Sequence, residues 1–437
     1  MAGGGGDEAP RPPGQATGGR RRRHQAASLP IDVMADIAAR SDPVTLVRCA
    51  ATCSDVRGRV ADPAFRRRLR LRHAHRFVPS LLRGHLVGKS DDLLAGDDEK
   101  GSSRADEVWL VETTHTGANA ATATVCRAFE RCHSAPGGKR LRLHKPVASR
   151  EGLLLVRTAR DLRVCNPATG RSQILPPEPP FQGQYVLLVG DGDGEGEGGG
   201  GAVGWPFHVA KVDVVLSDRS LKIQTFSSEH GGAWGSCTTI RASQLRGSYL
   251  SQKGLSTALV VGNSAYFLCL TDAASYVLKL NVRAARVTAV TTLLPETFPR
   301  ATSASQYLLA TARARRSPIV LVADNDKVSA WAQSKHKLGW EKQADVVIHK
   351  DEIVRFKKGA SAQTNVWVPY DASPIKLEWF AQRSGAVLIR MYGYGFFWLD
   401  LRSMSIVRHF SSSKYKFVYC PYEMHLSSWA PTFGSTI

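Results

Sequence analysis

No stretch of these 437 residues approaches the roughly 18 consecutive apolar residues that cross a bilayer. The Gly- and Arg-rich opening also lacks an apolar signal-peptide core. No membrane partner is expected, and the expected setting is intracellular, in the nucleus, the cytoplasm or both. There is no Cys-x-x-Cys pair: Cys49, Cys53, Cys126, Cys132, Cys165, Cys237, Cys269 and Cys420 are scattered. That spacing argues against a zinc framework, and Cys126 with Cys132-His133 has no second half at ligand spacing. Reduced, mostly buried thiols are the expectation. Also missing are a Gly-x-Ser-x-Gly elbow, a His-Glu-x-x-His zinc motif, a P-loop and a Rossmann glycine pattern. His144, His208, His230, His336 and His349 stand alone. No catalytic residue, metal ligand or cofactor is therefore expected, and the chain reads as a non-enzyme.

What is present begins with enough apolar residue, 43%, to build a real core. The length suits one large domain with a small one, or two to three of ordinary size. The net charge of +20 is uneven. In the first 90 residues 17 lysines and arginines stand against 7 acids, half the total excess. Arg20 to Arg23 sit in a Gly/Pro-rich tail, 1–27, expected to be disordered. Arg66, Arg67, Arg68, Arg70, Arg72 and Arg76, with His73 and His75, form a denser patch. On a helix they spread around most of the circumference, which suits a solvated helix touching an acidic surface. Nucleic acid is disfavoured there, because no stacking aromatics are interleaved.

Between Leu29 and Phe65 the chain packs two well-marked helix starts and a third short segment. Leu29, Val33 and Ile37 recur at i, i+4 and i+8, with Met34 and Ala38 beside them, making one apolar face. Asp42 is a good N-cap and Pro43 a good first-turn residue. Leu46, Val47, Ala50, Ala51 and Cys53 give the next helix its stripe. Asp62-Pro63 stops the third segment, and Phe65 follows as an aromatic plug. Periodicity alone also allows a plain helical cap packed on the rest of the chain.

The run Leu29-Pro30, Val33, Ile37, Asp42-Pro43-x-x-Leu46-Val47-Arg48, Cys53 and Asp62-Pro63-x-Phe65 resembles an F-box over roughly residues 28–75. F-box proteins are substrate-receiving subunits of SCF-type cullin–RING ubiquitin ligases and bind a Skp-family adaptor, which connects them to the cullin. The resemblance implies that Leu29, Pro30, Val33, Ile37, Leu46, Val47 and Val56 face the adaptor or the small core at that interface. Val56 stands where the family usually carries tryptophan, in Cys53-Ser54-Asp55-Val56-Arg57. A buried aromatic covers on the order of 150–250 Å², so its loss implies a weaker hold on the adaptor.

Residues 76–104 read as a basic helix and polar linker, and 105–430 as one large β domain. Short apolar runs bounded by turn residues predict strands at 108–111, 153–156, 185–190, 258–262, 265–270, 319–323, 386–389 and 395–401. The run 190–201, GDGDGEGEGGGG, reads as a flexible loop, since it lacks the spaced ligands and anchoring Glu of a calcium loop. Strands ending near Asn166, Asn281 and Asp400 alternate with aromatic ones at Phe226 and Trp331, each followed within nine residues by a tryptophan, Trp234 and Trp340. The anchors step by 50 to 69 residues, the scale of a kelch-type propeller blade, about 50 residues. With 107–145 supplying one more, a roughly six-bladed β-propeller behind a small all-α unit is expected; two stacked β-sandwiches are the alternative.

Asn166-Pro167-Ala168-Thr169-Gly170, followed by Leu175-Pro176-Pro177, resembles the F-box-associated β domain of many plant F-box proteins. Together the two resemblances imply a non-catalytic receptor, with the F-box on the adaptor and the propeller presenting an unknown protein target. The aromatics of the last third, Trp331, Trp340, Trp367, Phe396, Phe397 and Trp398 among them, suit a blade core. Tyr392 and Tyr394, in the Gly-broken run MYGYGFF, suit a rim that touches the target. The competing expectation is a basic β module for nucleic acid or another polyanion, with the helices as a cap.

Overall fold

The computed structural model describes residues 3, 29–40, 43–73, 76–89, 108–112, 125–127, 145–158, 161–190, 203, 206–229, 232–250, 255–283, 286–294, 298, 303–312, 315–334, 340–360, 374–410 and 415–425. The tail 1–27 apart from residue 3, the stretch 90–104, the acidic-glycine run beyond Gly190, Cys132-His133, Trp367 and the side chain of Val47 lie outside the described residues.

Four helices open the chain: α1 (Ile31–Arg40), α2 (Pro43–Thr52), α3 (Ser54–Ala61) and α4 (Pro63–His73). The Pro30 carbonyl accepts the Val33 and Met34 amides at 2.9 and 3.1 Å and so starts α1. Arg57 donates to the Ala50 and Ala51 carbonyls at 3.1 and 3.3 Å, filling acceptors that the end of α2 leaves open. Asp62 Oδ1 accepts the Ala64 amide at 2.9 Å. Asp62-Pro63 therefore ends α3 and also starts a fourth helix, where Pro63 costs no hydrogen bond. Ala35, Ala38, Leu46, Ala50, Val56, Val60, Phe65 and Leu69 close on one another and on Val78 and Leu81. Each large aliphatic among them contributes on the order of 1.5–3 kcal/mol.

The rest is a six-bladed β-propeller of four-stranded antiparallel sheets. Blades 2 to 6 run in sequence from Lys145 to Ile174, Gln184 to Arg241, Leu259 to Leu293, Tyr307 to His349 and Ile375 to Phe410. Blade 1 joins the two ends of the chain: Tyr415–Glu423 is its inner strand, followed outward by Leu82–Lys89, Val108–Glu112 and Val125–Arg127. This corrects two sequence expectations. Residues 82–89 are strand rather than helix or linker, and the extra blade is not drawn from 107–145 alone. In LRGHLVGK, Gly84 and Gly88 read as breakers and no alternation survives, because Leu82, His85, Leu86 and Val87 are all buried between neighbouring blades.

The sequence anchors Asn166, Phe226, Asn281, Trp331 and Asp400 all lie on the third strand of their blades. The irregular step is thus a third-strand to third-strand distance. Asn281 lies two residues before its strand ends at Arg283, and Trp340 opens a fourth strand. Adjacent blades share apolar seams, such as Leu153, Leu155 and Val164 against Leu187, Phe207 and Phe226. Among the described residues one α-helix interrupts the β body, α5 (Lys350–Ala360), between blades 5 and 6.

In an antiparallel meander successive connections alternate between the two ends of the ring. The turns from first to second strand lie at one end with those from third to fourth. The turns from second to third strand and the blade-to-blade connections lie at the other.

Candidate interaction surfaces

The α1 stripe faces outward. Leu29 is 54% exposed, Val33 42% and Ile37 51%, with Pro30 also exposed, whereas Ala35 and Ala38 turn into the helical core. The plain-cap expectation would have buried this stripe. Leu46 and Val56, each 4% exposed, belong to the core and not to the stripe. Arg59 of α3 pairs with Asp32 of α1 at 2.8 Å and with Asp62 at the end of its own helix at 3.0 Å.

Among the described residues the helical unit meets the ring beside blade 6. The Val78 amide donates to the Arg383 carbonyl at 2.7 Å, and Phe77 packs edge-on against Phe380, 6.2 Å between ring centres. The first contact reaches the first turn of blade 6 and the second the strand that leads into it. The Glu423 carboxylate is buried there, accepting the Arg383 amide (3.0 Å), the Ser384 amide (2.7 Å) and the Ser384 hydroxyl (2.6 Å). Burial pushes the Glu423 carboxyl above its ordinary range, and these donors oppose that rise. The backbone of the same residue accepts the Gly152 amide at 2.9 Å, and the Met424 amide donates to Leu81 at 2.9 Å. Blade 1, blade 2, blade 6 and the helical exit thus meet at the C-terminal strand.

Inside the ring, the inner strands of all six blades line a central cavity of about 60 Å³. Its polar end is already paired. Arg150 donates to Gln382 Oε1 at 2.9 Å, Gln382 also takes the Val260 amide at 3.3 Å, and Arg383 Nε lies 3.3 Å from Glu151 Oε1. That last contact is an ion pair whose angle is too poor for a hydrogen bond. Arg383 and Glu151 offset each other's charge, and Arg150 is held on the Gln382 side chain.

Two other polar groupings hold the scaffold. Glu178 takes Arg157 in a two-point pair (2.8 and 3.0 Å) and the Tyr185 hydroxyl at 2.7 Å. Burial raises the Glu178 carboxyl, but these bonds outweigh it and hold it below its usual range. His85 is fully buried among Phe396, Trp398 and Phe410, with neither ring nitrogen hydrogen-bonded, and desolvation pushes it down to about 3.

Tyr392 and Tyr394 sit on the turn between the second and third strands of blade 6, at the end of the ring opposite the helical unit. Gly393 adopts φ +74°, and the Tyr394 amide closes the turn on the Met391 carbonyl at 3.1 Å. Tyr392 is 75% exposed. Lys357 of α5 places its ammonium 4.8 Å above the Tyr394 ring and 3.5 Å from the Gly393 carbonyl. His409 Nε2 lies 2.7 Å from the Tyr394 carbonyl. The sequence reading missed Lys357 and His409, although Ile353, Val354 and Phe356 behind an acidic first turn carry a helical signal.

Among the described residues no group of three or more His, Cys, Asp or Glu could hold a metal ion. No described helix is long and apolar enough to cross a membrane.

Among solved structures, the chain is similar to regucalcin from Agrobacterium tumefaciens str. C58, a calcium-binding protein, at 11% identity and TM-score 0.33, over 64% of this chain and 77% of that one. It is also similar to apo AztD from Citrobacter koseri at 10% identity and TM-score 0.32, over 72% of this chain and 73% of that one. No curated protein matches the sequence. Residues 112–433 match the family model described as "Domain of unknown function (DUF7595)". That match takes in almost the whole β body, and the chain belongs to the DUF7595 family.

Proposed function

We propose that this chain is the substrate-receptor subunit of an SCF-type cullin–RING ubiquitin ligase, of the F-box kind with a plant-type associated β domain. Helices α1 to α4 hold a Skp-family adaptor, and through it the cullin, while the propeller holds a protein target. The exposed stripe of Leu29, Val33 and Ile37 on an otherwise well-packed helical unit carries this reading. A stripe of large apolar side chains left open to water costs free energy until a partner covers it. No acid, base or nucleophile is asked of this chain; it acts by raising the target's concentration beside the transfer machinery. The setting that follows is nuclear or cytoplasmic.

A pull-down of the full chain with a purified Skp-family adaptor tests it. Wild type is expected to bind and Leu29→Ala/Pro30→Ala to lose binding; absence of wild-type binding would overturn the reading.

A second reading, a polyanion binder, draws on Arg67, Arg68, Arg72 and Arg76. All four are exposed, and none has an acidic partner among the described residues. It requires affinity for a nucleic-acid duplex that falls steeply with salt and depends on these arginines.

A further inference from the structure

We propose that the rim formed by Tyr392, Tyr394 and Lys357 binds an acidic peptide segment of the target, Lys357 taking a carboxylate and the tyrosine rings its apolar neighbours. The inference rests on the receptor reading and adds the chemistry of the ligand.

Geometry comes first. Tyr392 sits on a tight turn whose glycine adopts φ +74°, and it is 75% exposed. A two-torsion aromatic on a fixed turn loses little freedom on binding. The rim lies at the end of the ring away from α1, so a peptide there and an adaptor on the helices would not collide.

Charge supplies the chemistry. Lys357 Nζ touches the Tyr394 ring and the Gly393 carbonyl, and no carboxylate among the described residues pairs with it. Burial lowers its pKa from the ordinary value. A half-desolvated ammonium over a ring face is favourable for an incoming anion, which would complete a site already stripped of part of its water. His409 beneath the turn is held below its usual pKa, by burial first and by the nearby Lys357 charge among the other causes. Its Nε2, 2.7 Å from the Tyr394 carbonyl, braces the turn. The acidic residues of α5, Asp351 and Glu352, stand in its first turn, and neither forms an ion pair with Lys357 among the described residues. The helix itself packs on the last strands of blades 5 and 6, which anchors the lysine to the same blade as the tyrosines.

The experiment is fluorescence anisotropy on the full chain with a labelled peptide of alternating Glu and Leu, against its Gln-for-Glu counterpart. The acidic peptide is expected to bind and the neutral one to bind about tenfold more weakly or not at all, the difference shrinking at high salt. Lys357→Met and Tyr392→Ala are each expected to weaken the acidic peptide about tenfold. Equal affinity for the two peptides would overturn the proposal, as would absence of binding. So would a loss produced by Arg67→Gln/Arg72→Gln but not by Lys357→Met, because that would place the peptide on α4. The Leu29→Ala/Pro30→Ala chain is expected to bind the peptide like wild type. Failure of the adaptor pull-down with peptide binding intact would therefore strike the receptor reading and leave the rim standing.

Discussion

Phe77 occupies the space that a side chain on Gly385 would need: a β-carbon built on that glycine would overlap the phenyl ring. Gly385 also holds φ +73°, a conformation that costs a residue with a β-carbon roughly 1–2 kcal/mol. The glycine thus permits both the turn and the approach of the helical exit to blade 6.

Gly385→Ala is expected to destabilise the chain by about 2–5 kcal/mol, the backbone penalty plus the cost of displacing a packed ring. Hydrogen exchange should rise at residues 76–82 before it rises in blades 3 and 4. Phe77→Ala in the same chain should recover part of the loss, since the overlap is removed while the backbone strain stays. Additive losses in the double variant would show that the ring is not the obstacle.

Glu423→Ala is expected to loosen the closure of the ring. It removes the acceptor of two amides and one hydroxyl in a buried site, and each orphaned donor costs about 1–3 kcal/mol. Glu423→Gln keeps one oxygen facing Ser384 and should cost less. Proteolysis is the readout: cleavage within 415–425 should increase strongly for the alanine variant and weakly for the glutamine one. Equal resistance of all three chains would mean that strand pairing alone closes blade 1.

The blade repeat was legible because turn chemistry is local. Asn166 takes the Ala168 amide on its side chain at 3.1 Å, and Asp400 takes the Arg402 amide at 2.8 Å. Both residues are written into third-strand ends by the turns they start. The α1 stripe was legible for the same reason, since a period of 3.6 needs no tertiary context. Ring closure was not. Leu82–Lys89 pairs with a strand more than three hundred residues away, and both its faces are buried, so neither alternation nor spacing marks it. Lys357 was hidden because its meaning comes from Tyr394, which reaches it only once blade 6 has folded beside α5.

Acid should weaken the fold through His85. The folded pKa lies at about 3 against an ordinary 6.5. Between those values the unfolded chain binds a proton that the folded chain refuses. The stability from this group is complete above pH 6.5 and is lost as pH falls toward 3, by roughly 2 kcal/mol at pH 5. The rings around it, Phe396, Trp398 and Phe410, offer the cation no hydrogen-bond acceptor. His85→Phe should flatten the wild-type slope of stability against pH between 5 and 7 by that amount. An identical slope in the two chains would assign the acid sensitivity elsewhere.

Val56 bears on how the helical unit meets its partner. If the F-box resemblance held at every position, restoring tryptophan there would strengthen adaptor binding. The side chain, however, is 4% exposed and packed inside the helical core with Leu46 and Phe65. An indole at that position must enlarge a filled interior, which costs about 1–3 kcal/mol. Val56→Trp is therefore expected to raise hydrogen exchange across 31–73 and to leave adaptor affinity unchanged or lower. Tighter adaptor binding with unchanged protection would place position 56 at the interface. The missing ring would then become the reason for a weak complex, and the outward stripe of Leu29, Val33 and Ile37 would be only part of the contact.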